Sequence, residues 1–523
     1  MDGRGSTAGV AVIGAGIGGL AAALLLAARG LEVTVLERAA TYGGKLRTLE
    51  VAGHAVDAGP TVFTMRWVFD ALFAEAGADF AAQVGLHRLE VLARHAWSAG
   101  ERLDLYADPR RSEAAIGAFA GAAAARGYRD FRRRAARVHA VLRDGFMVAP
   151  LAGPAALVRR VGPGGLSGLL AGAPLRTLWQ ALGRHFPDPR LRQLFGRYAT
   201  YCGASPFAAS AMLMLIAHVE QEGVWRIAGG MHRLAAALAD LAVARGARLL
   251  CGTAVAEILV AGGRVAGVRL ADGSTVAADA VVANADVAAL AAGHFGAAAA
   301  ASVPAPCGPR SLSAVTWAMV AGTTGFPLVR HNVFFARDYA AEFAALFGRA
   351  DIPADATVYV CAQDRDDAGP AGAAAAPERL LCLINAPPVG DARPFTQAEI
   401  AQCTTRMVAR LEHCGLILHP QATAVTTPAE FACLFPATGG ALYGTAVHGT
   451  MAAFRRAGAA TTLPGLYLAG GSVHPGAGVP MAALSGRLAA ARVLADLDSI
   501  SRSRRTAMSG GTPMRSATTA PSR

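Results

Sequence analysis

The stretch that decides the fold is "GVAVIGAGIGGLAAALLLAARGLEVTVLE", residues 9–37. Its first residues are apolar or glycine, and such a short run predicts a buried strand. A cluster of glycines follows at 14–19, and the alanine- and leucine-rich run after it predicts a helix that ends near Ala28. Residues 32–37 predict a second strand that ends in an acid. Strand, glycine turn, helix and strand in this order predict a βαβ unit on a parallel sheet.

The glycine cluster has the Gly-x-Gly-x-x-Gly spacing of a dinucleotide-binding turn. Gly14 permits the tight turn, and Gly16 lets the backbone approach a diphosphate. Gly19 lets the helix pack on the strand, with Gly18 beside it, and the helix N-terminus attracts phosphate. Glu37, 18 residues after the last glycine, is placed to accept hydrogen bonds from ribose hydroxyls. We expect a nucleotide here; a packing turn without a nucleotide is the alternative.

Two further loops lie just downstream, "ERAATYGGKLRT" at 37–48 and "DAGPT" at 57–61. Together with the glycine turn they resemble the FAD-binding signature of the glutathione-reductase-like flavoproteins, in particular the amine-oxidase and phytoene-desaturase branch. The resemblance implies that the second glycine loop lies against the diphosphate and ribityl chain of FAD. The cofactor contacts that it implies are Arg38, Gly44, Lys45, Arg47, Gly59, Pro60 and Thr61. For Lys45 and Arg47 a plain surface cation is the alternative.

A second glycine-rich loop, "LAGGSVHPGAGVP" at 468–480, stands between a strand-like and a helix-like run near the end of the chain. No second βαβ unit with a ribose-binding acid follows it, so we interpret it as closing over the other end of the same FAD. The helix N-terminus would face the flavin O2 side, where reduced flavin gathers negative charge. The expected contacts are Gly470, Gly471, Gly478, Val479 and Met481. His474 and Pro475 would line the flavin end of a substrate tunnel, or form a purely structural turn.

Composition predicts an apolar globular protein. Hydrophobic residues make up 53% of the 523 residues and charged residues only 16%, yet the glycine-punctuated runs do not predict a spanning helix. The net charge is +12, but basic residues do not cluster with aromatics, so no nucleic-acid partner is expected. The N-terminus lacks a signal-peptide pattern. The eight cysteines show no metal-ligand spacing and suit a reducing cytosol without a metal site.

The middle of the chain predicts helices around an apolar space. Residues 86–225 have a helical pattern, and within them 146–182 are apolar, broken by Pro and Gly, and carry arginines. This segment could lie in a membrane interface or form a cap on a substrate domain. The stretch "RYATYCGASPFAASAMLMLIAHVEQEGVW", 197–225, gathers large apolar side chains, which suits a long tunnel.

By these motifs, the chain resembles the carotenoid desaturases of the phytoene-desaturase family from about residue 8 to 495. The central stretch is most similar to 1-hydroxycarotenoid (hydroxyneurosporene or methoxyneurosporene) 3,4-desaturases. The resemblance implies an FAD-dependent enzyme that takes a hydride from an allylic carbon of an acyclic carotenoid and a proton from its neighbour, forming a C=C bond. Candidates for proton acceptance or substrate positioning are Glu220, His218 and Tyr201. The resemblance also places Val255 at the adenine and 283–286 near the cofactor.

The expected fold class is α/β, a Rossmann-like FAD-binding domain of glutathione-reductase or amine-oxidase type with an inserted, discontinuous α+β substrate domain. The FAD domain would comprise 8–85, 226–300 and 451–497. The substrate domain would comprise 86–225, which would also face the membrane, and 301–450. Residues 498–523 would form a disordered basic tail. The expected location is peripheral, on the cytoplasmic side of a bacterial inner membrane.

Three alternatives stay open from the sequence. A phytoene desaturase or another polyene or squalene-type oxidoreductase shares most of the motifs. A flavin amine oxidase fits less well, because such enzymes commonly use a lysine in the substrate region and an acid after the last strand. This chain has one lysine, Lys45, and has Gly471 and Ser472 in place of that acid. A non-catalytic flavin or lipid carrier on a membrane is the third alternative.

Overall fold

The computed structural model of the chain describes residues 8–173, 175–365 and 377–509, with side chains up to residue 499. The described strands, in chain order, are β1 Gly9–Ile13, β2 Glu32–Leu36, β3 Thr48–Val51, β4 His54–Asp57, β5 Leu86–Arg88, β6 Val91–Ser98, β7 Glu101–Tyr106, β8 Trp225–Ile227, β9 Arg248–Leu250, β10 Val255–Ala261, β11 Arg264–Leu270, β12 Thr275–Ala277, β13 Ala280–Ala283, β14 Ser313–Gly325, β15 His331–Phe334, β16 Val358–Ala362, β17 Glu378–Ala386, β18 Leu416–Thr426 and β19 Leu466–Leu468.

The described α-helices are α1 Ile17–Ala27, α2 Arg66–Glu75, α3 Phe80–Gln83, α4 Pro109–Leu142, α5 Pro154–Ala171, α6 Leu178–Leu182, α7 Pro189–Gly196, α8 Leu215–Glu222, α9 His232–Ala244, α10 Val287–Ala291, α11 Ala297–Ala301, α12 Tyr339–Phe343, α13 Gln397–His413, α14 Pro428–Leu434 and α15 Val479–Ser509. Short 3-10 or π turns lie between some of them, including Arg143–Met147 and Arg197–Cys202. A bend divides α5 at Gly162, whose φ is 63° and which precedes Pro163.

The first sheet is five-stranded and wholly parallel, in the order β19-β13-β1-β2-β9. Helices α1, α9 and α15 cover one face, and the strands β10 and β11 with the short helices α10 and α11 cover the other. Because both faces are covered, β1 is a continuous apolar run and is almost fully buried. Every residue of α1 is buried, because α1 packs between this sheet, α9 and α15. The predicted βαβ unit is therefore present within a residue or two of its expected bounds.

The second sheet is seven-stranded and mixed, in the order β18-β14-β17-β16-β15-β6-β7. Its pairs are antiparallel except β15 with β6, which is parallel. A smaller three-stranded meander, β10-β11-β12, lies beside the first sheet. The long helix α4 packs with α5 and α8 in a separate helical layer. The first sheet with its helices is Rossmann-like, and the second sheet with its helices forms an α+β part.

Two expectations from the sequence are wrong here. Residues 86–225 are not helical throughout, because β5, β6 and β7 come first. The run "VLARHAWS", 91–98, is mostly buried and forms β6, and the turn at Ala99-Gly100 joins it to β7 in a hairpin. The basic tail is not disordered from residue 498, since α15 runs on to Ser509. Residues 499–509 contain neither Gly nor Pro, which is compatible with a continuing helix. The rest of the predicted tail, 510–523, lies outside the described residues.

Across the described ranges of the chain, we find no helix whose length and apolar character would let it cross a membrane.

Candidate active site

A cavity of about 1010 Å³ lies at the carboxyl ends of the parallel strands and reaches across to the second sheet and the helical layer. One end is formed by the turns that follow β1, β2, β13 and β19. Of the cofactor contacts expected from the sequence, the following line it: Gly14, Gly16, Gly18, Glu37, Arg38, Gly44, Lys45, Arg47, Gly59, Pro60, Thr61, Val255, Gly470, Gly471, Gly478, Val479 and Met481. Gly19 does not line the cavity; a side chain there would strike the Gly14 carbonyl, so it serves the packing of α1.

Asn284, which directly follows β13, is the residue on which the glycine turn is packed. Its Nδ2 donates a hydrogen bond to the Gly14 carbonyl at 3.2 Å. A Cβ at Gly16 would lie 2.9 Å from Asn284 Nδ2, and one at Gly18 would lie 2.6 Å from its Oδ1. Asn284 therefore leaves no room for a side chain at Gly16 or Gly18, and a bound diphosphate would also need the space at Gly16. The sequence placed 283–286 near the cofactor only by resemblance and did not single out this asparagine.

Glu37 closes the glycine turn. Its Oε2 accepts a hydrogen bond from the Ala15 N–H at 2.7 Å, and its Oε1 accepts one from the Ala39 N–H at 2.8 Å. A carboxylate has about four acceptor sites. The two oxygens therefore keep capacity toward the cavity that Glu37 lines, which fits ribose hydroxyls.

Lys45 and Arg456 are buried or half-buried cations that face the cavity, and neither forms a salt bridge with a carboxylate of the described part of the chain. Lys45 Nζ donates to the Leu442 carbonyl at 2.6 Å and lies 5.0 Å from the centre of the Phe435 ring. Removal from water lowers the pKa of Lys45, and Asp286 only partly opposes this. Burial likewise lowers the pKa of Arg456. A bound anion would offset the desolvation of both charges, so this end of the cavity fits the diphosphate of a dinucleotide.

Arg456 was missed by the sequence reasoning. Its guanidinium donates to the carbonyls of Gly471, Tyr443 and Thr445 at 2.9–3.0 Å. It therefore holds the closing glycine loop against the 443–445 segment. No motif surrounds it, and an isolated arginine in an arginine-rich chain carries no signal of this kind.

The predicted arginines tie the first sheet to the rest of the cavity wall. Arg47 donates to Thr426 Oγ1 at 2.9 Å and Arg38 donates to the Cys433 carbonyl at 2.9 Å. Thr61 shares a 2.7 Å hydrogen bond with the hydroxyl of Tyr359 on β16. Each thus has a partner within the protein in addition to its place on the cavity wall.

The closing loop leads directly into α15, whose first residues line the cavity from Val479 onward. Pro480 near the helix start suits this position, where a backbone N–H is not needed by the helix. Pro475 also lines the cavity, whereas His474 lies behind the wall, as the structural alternative for this residue expects. It is buried, its Nε2 is 2.9 Å from the Ala149 carbonyl, and its ring supports the cavity-lining Phe146 at 4.7 Å.

Of the catalytic candidates, the structure brings Tyr201 and Glu220 together in the cavity wall. The Tyr201 hydroxyl donates to Glu220 Oε1 at 2.5 Å and the Tyr198 hydroxyl donates to Oε2 at 2.6 Å. Burial raises the pKa values of both tyrosines and Glu220 adds to the effect, so both hydroxyls keep their protons. Burial opposes the charge of Arg197, 3.9 Å from Glu220, but Tyr201 and Glu220 outweigh it and its pKa is raised. Each oxygen of the Glu220 carboxyl group thus accepts a hydrogen bond from one tyrosine, with the Arg197 guanidinium nearby.

His218 does not belong to this cluster. It is two residues before Glu220 on α8, and residues two apart in a helix point about 200° apart. Its Nε2 lies 3.4 Å from Glu222 Oε1 and its ring centre lies 4.9 Å from that of His139, outside the cavity. Closeness in the chain therefore misled the sequence reasoning, and His218 is not a cavity residue.

Elsewhere the wall between α4, α5 and α8 is apolar. Side chains from these helices and the turns beside them line it: Leu142, Phe146, Met147, Leu157, Leu169, Met212, Leu213, Leu215, Ile216 and Val219. Such a wall accepts a long apolar ligand and excludes water from it.

Known proteins resemble this chain over nearly its whole length. The family described as flavin containing amine oxidoreductase matches residues 17–494. Hydroxyneurosporene desaturase from Rubrivivax gelatinosus is 55% identical over 98% of both chains. The hydroxyneurosporene desaturase of Cereibacter sphaeroides is 47% identical over 94% of this chain and 99% of its own. The 4,4'-diapolycopene oxygenase of a Methylomonas species is 29% identical over 93% and 98%.

Solved structures agree with the fold. An oxidoreductase from Methanosarcina mazei superposes with a TM-score of 0.55 at 17% identity, covering 92% of this chain and 99% of its own. Putrescine oxidase bound to putrescine gives 0.57 at 16% identity, covering 95% and 99%. At these identities the likeness concerns the fold alone, and the predicted Rossmann-type α/β fold is confirmed.

Proposed function

Because this chain belongs to the family of flavin-containing amine oxidoreductases and takes FAD as its cofactor, we propose that it is a carotenoid desaturase that forms the C3–C4 double bond of an acyclic 1-hydroxycarotenoid. The observation that carries the proposal is 55% identity to a hydroxyneurosporene desaturase over 98% of both chains. The joined cavity, polar at one end and apolar at the other, supports it.

The reaction takes a hydride from an allylic carbon and a proton from the neighbouring carbon, and FAD, when bound, supplies the two-electron acceptor. Asn284, Glu37 and the two glycine loops would hold the adenosine and diphosphate, with Lys45 and Arg456 balancing the charge. The apolar wall of α4, α5 and α8 would align the polyene and keep water from the developing positive charge.

We further propose that Tyr201 and Glu220, which we call the cavity cluster, position the hydroxylated end of the substrate. Their bond at 2.5 Å, with Arg197 nearby, places a polar group in the wall next to its apolar part. A site built to bond a hydroxyl discriminates strongly against the analogue that lacks it, because its own polar groups are then unpaired. The alternative is that Glu220 accepts the departing proton.

The test compares Tyr201→Phe and Glu220→Gln with the parent on 1-hydroxyneurosporene and neurosporene, under anaerobic conditions. Positioning predicts that kcat/KM for the hydroxylated substrate falls by about tenfold or more while that for neurosporene changes little. If Glu220 instead accepts the proton, kcat/KM should fall equally for the two substrates. Tyr339→Phe, which removes a hydroxyl elsewhere on the wall, is the control. Unchanged kinetics in both variants would refute any role of the pair.

A direct test of the proposed reaction is rapid mixing of the FAD-loaded protein with 1-hydroxyneurosporene in the absence of oxygen. Desaturation predicts bleaching of the flavin band at about 450 nm with formation of the 3,4-unsaturated product. A carrier protein would bind the carotenoid without bleaching, and that result would overturn the proposal. Putrescine serves as the control substrate, since an amine oxidase would bleach with the amine instead.

We also propose that the protein docks on a membrane through α5. The side chains of Val158, Leu166 and Leu170 on this helix are exposed, Leu170 by 64%, while Leu157 and Leu169 on the same helix line the cavity. Exposed Arg159 is placed to meet anionic headgroups. One helix would thus join the bilayer to the cavity and provide a path for a polyene.

Flotation with liposomes of phosphatidylglycerol and phosphatidylcholine tests this docking. We expect the double substitution L166S/L170S to lower the floated fraction severalfold, because it removes exposed apolar area from the proposed docking face. Ile417→Ser is the matched control, since Ile417 is 46% exposed on β18 and far from α5 in the fold. Equal flotation of all three proteins, or none by the parent at low salt, contradicts the proposal.

A further inference from the structure

Two histidines and a glutamate meet where α4 packs on α8, on the side of α8 that faces away from the cavity. His139 comes from α4, and His218 and Glu222 come from successive turns of α8. One ligand atom from each of the three side chains lies within 4.8 Å of the other two. The group is distinct from the cavity cluster of Glu220, which points the other way.

The buried histidine of this group has an unmet hydrogen-bonding need. His139 is 2% exposed, and its Nε2 has no hydrogen-bond partner among the described residues. Leaving a buried polar atom unpaired costs about 1–3 kcal/mol. The position of this histidine beside a second imidazole and a carboxylate indicates a ligand that all three side chains can share.

We propose that His139, His218 and Glu222 bind one divalent first-row transition ion, of which Zn²⁺ is the probe of choice. Two imidazoles and a carboxylate are a typical zinc ligand set with a further position open to water. The surface supplies that position, because His218 is half-buried and Glu222 is exposed.

The geometry needs only a small adjustment. Ligand atoms at about 2.0–2.1 Å from a tetrahedral zinc lie about 3.3 Å apart. His218 Nε2 and Glu222 Oε1 are already 3.4 Å apart. The remaining separations, at most 4.8 Å, can close by side-chain rotation of His139 and His218 without moving either helix.

Such an ion would fasten α8 to α4. Glu220 lies between the two ligands of α8 in the chain, and Leu142 of α4 lines the cavity three residues after His139. The metal would therefore be a structural tie behind the cavity wall, holding the helix that carries Glu220, and it would take no part in electron transfer. Sequence spacing offers no sign of it, because His139 is far from His218 in the chain.

The experiment uses the untagged, FAD-loaded full chain, freed of metals with EDTA and then titrated with Zn²⁺ by calorimetry. We expect one Zn²⁺ per chain and a rise in the Tm on saturation, because a ligand that binds only the folded state stabilises it. His139→Gln, His218→Gln and Glu222→Gln should each weaken the binding by about tenfold or more.

His87→Gln, an exposed histidine on β5, is the control and should bind as the parent does. Because Glu222 is exposed, its variant should fold even where replacement of buried His139 disturbs the packing. Absence of stoichiometric binding to the parent overturns the proposal. Binding that Glu222→Gln and His218→Gln leave unchanged overturns it as well.

Discussion

Asn284 explains at the scale of single residues why the first glycine turn tolerates no side chains. Its amide bonds the Gly14 carbonyl and fills the space that a Cβ at Gly16 or Gly18 would need. The turn is thus held in shape from a strand that lies far away in the sequence. The glycines were predictable from their spacing, but the asparagine was not, because nothing local marks it.

Gly16→Val should purify without FAD, since the new side chain meets Asn284 on one side and the expected diphosphate on the other. We expect bound flavin, measured by absorbance after heat release, to fall by more than about tenfold. Gly100→Val is the control, because a Cβ at Gly100 in the β6–β7 turn meets nothing within 4 Å. A yellow Gly16→Val protein would contradict this placement of the diphosphate.

The buried side chain of Glu342 should make the stability of the folded protein depend on pH. Burial raises the pKa of Glu342 from 4.5 to about 7, against hydrogen bonds from Thr357. Between these two values the folded state keeps a proton that the unfolded state releases. The stabilising contribution of Glu342 is therefore complete below about pH 4.5 and is lost as the pH rises toward about 7. The free energy of unfolding falls by roughly 3 kcal/mol at most over this range.

Glu342→Gln should remove this pH-dependent part, because glutamine does not ionise and can still accept from Thr357. The measurement is the free energy of unfolding in urea at several pH values between about 5 and about 7.5. The exposed Glu412, replaced by Gln, is the control. Parallel pH profiles for the parent and Glu342→Gln would show that the carboxyl does not titrate in this range.

At the scale of elements, the two ends of the chain meet through α1 and α15. A Cβ at Gly486 of α15 would fall on the Gly18 carbonyl oxygen of α1, so the two helix backbones touch. This contact sets the distance between the first glycine turn and the closing loop. Both helices are apolar where they meet, and α1 is buried along its whole length.

Gly486→Val should therefore lower both the Tm and FAD retention, because overpacking a tight helix contact typically costs about 1–3 kcal/mol. Ala491→Val, an exposed position on the same helix, should leave both unchanged. Thermal unfolding followed by circular dichroism, with flavin content measured in parallel, checks this. A Gly486→Val protein with the parent's Tm would mean that α15 can shift away without loss.

The sequence predicted elements well where the pattern was local. The βαβ unit, and the helix α4 within the helical pattern of the middle of the chain, follow from periodicity and turn residues. It failed for the hairpin of β6 and β7, in which β6 also pairs with β15 more than two hundred residues on, and for the end of α15. It also placed His218 with Glu220, since chain proximity does not reveal which helix face a side chain occupies. Arg456 was invisible because its partners are backbone carbonyls.

At the scale of the whole molecule, the cavity lies between the two sheets and the helical layer and is lined by residues of all three. Its cofactor end takes residues from both ends of the chain, and its apolar end takes them from the helical layer and the second sheet. A bound dinucleotide would thus connect segments that have no covalent neighbour in common. The stability of the whole protein should therefore depend on whether the dinucleotide is bound.

Removal of FAD should lower the Tm of the entire protein in one transition. By mass action, a ligand at a free concentration of about a thousand times its Kd contributes about 4 kcal/mol. Differential scanning calorimetry of the FAD-free protein, before and after FAD is restored, measures the change. If only a minor part of the heat absorption shifts, the cofactor end unfolds independently and the picture of one connected body is wrong.

Lys45 has a practical consequence for chemical labelling. It is the sole lysine in 523 residues, and its amine faces the cavity, bonded to the Leu442 carbonyl. Its lowered pKa leaves more of the amine in the neutral, nucleophilic form at mild pH. An amine-acylating reagent consequently has one side-chain target in this protein, and the mass added to the peptide that contains it reports how far the cavity is open to solvent.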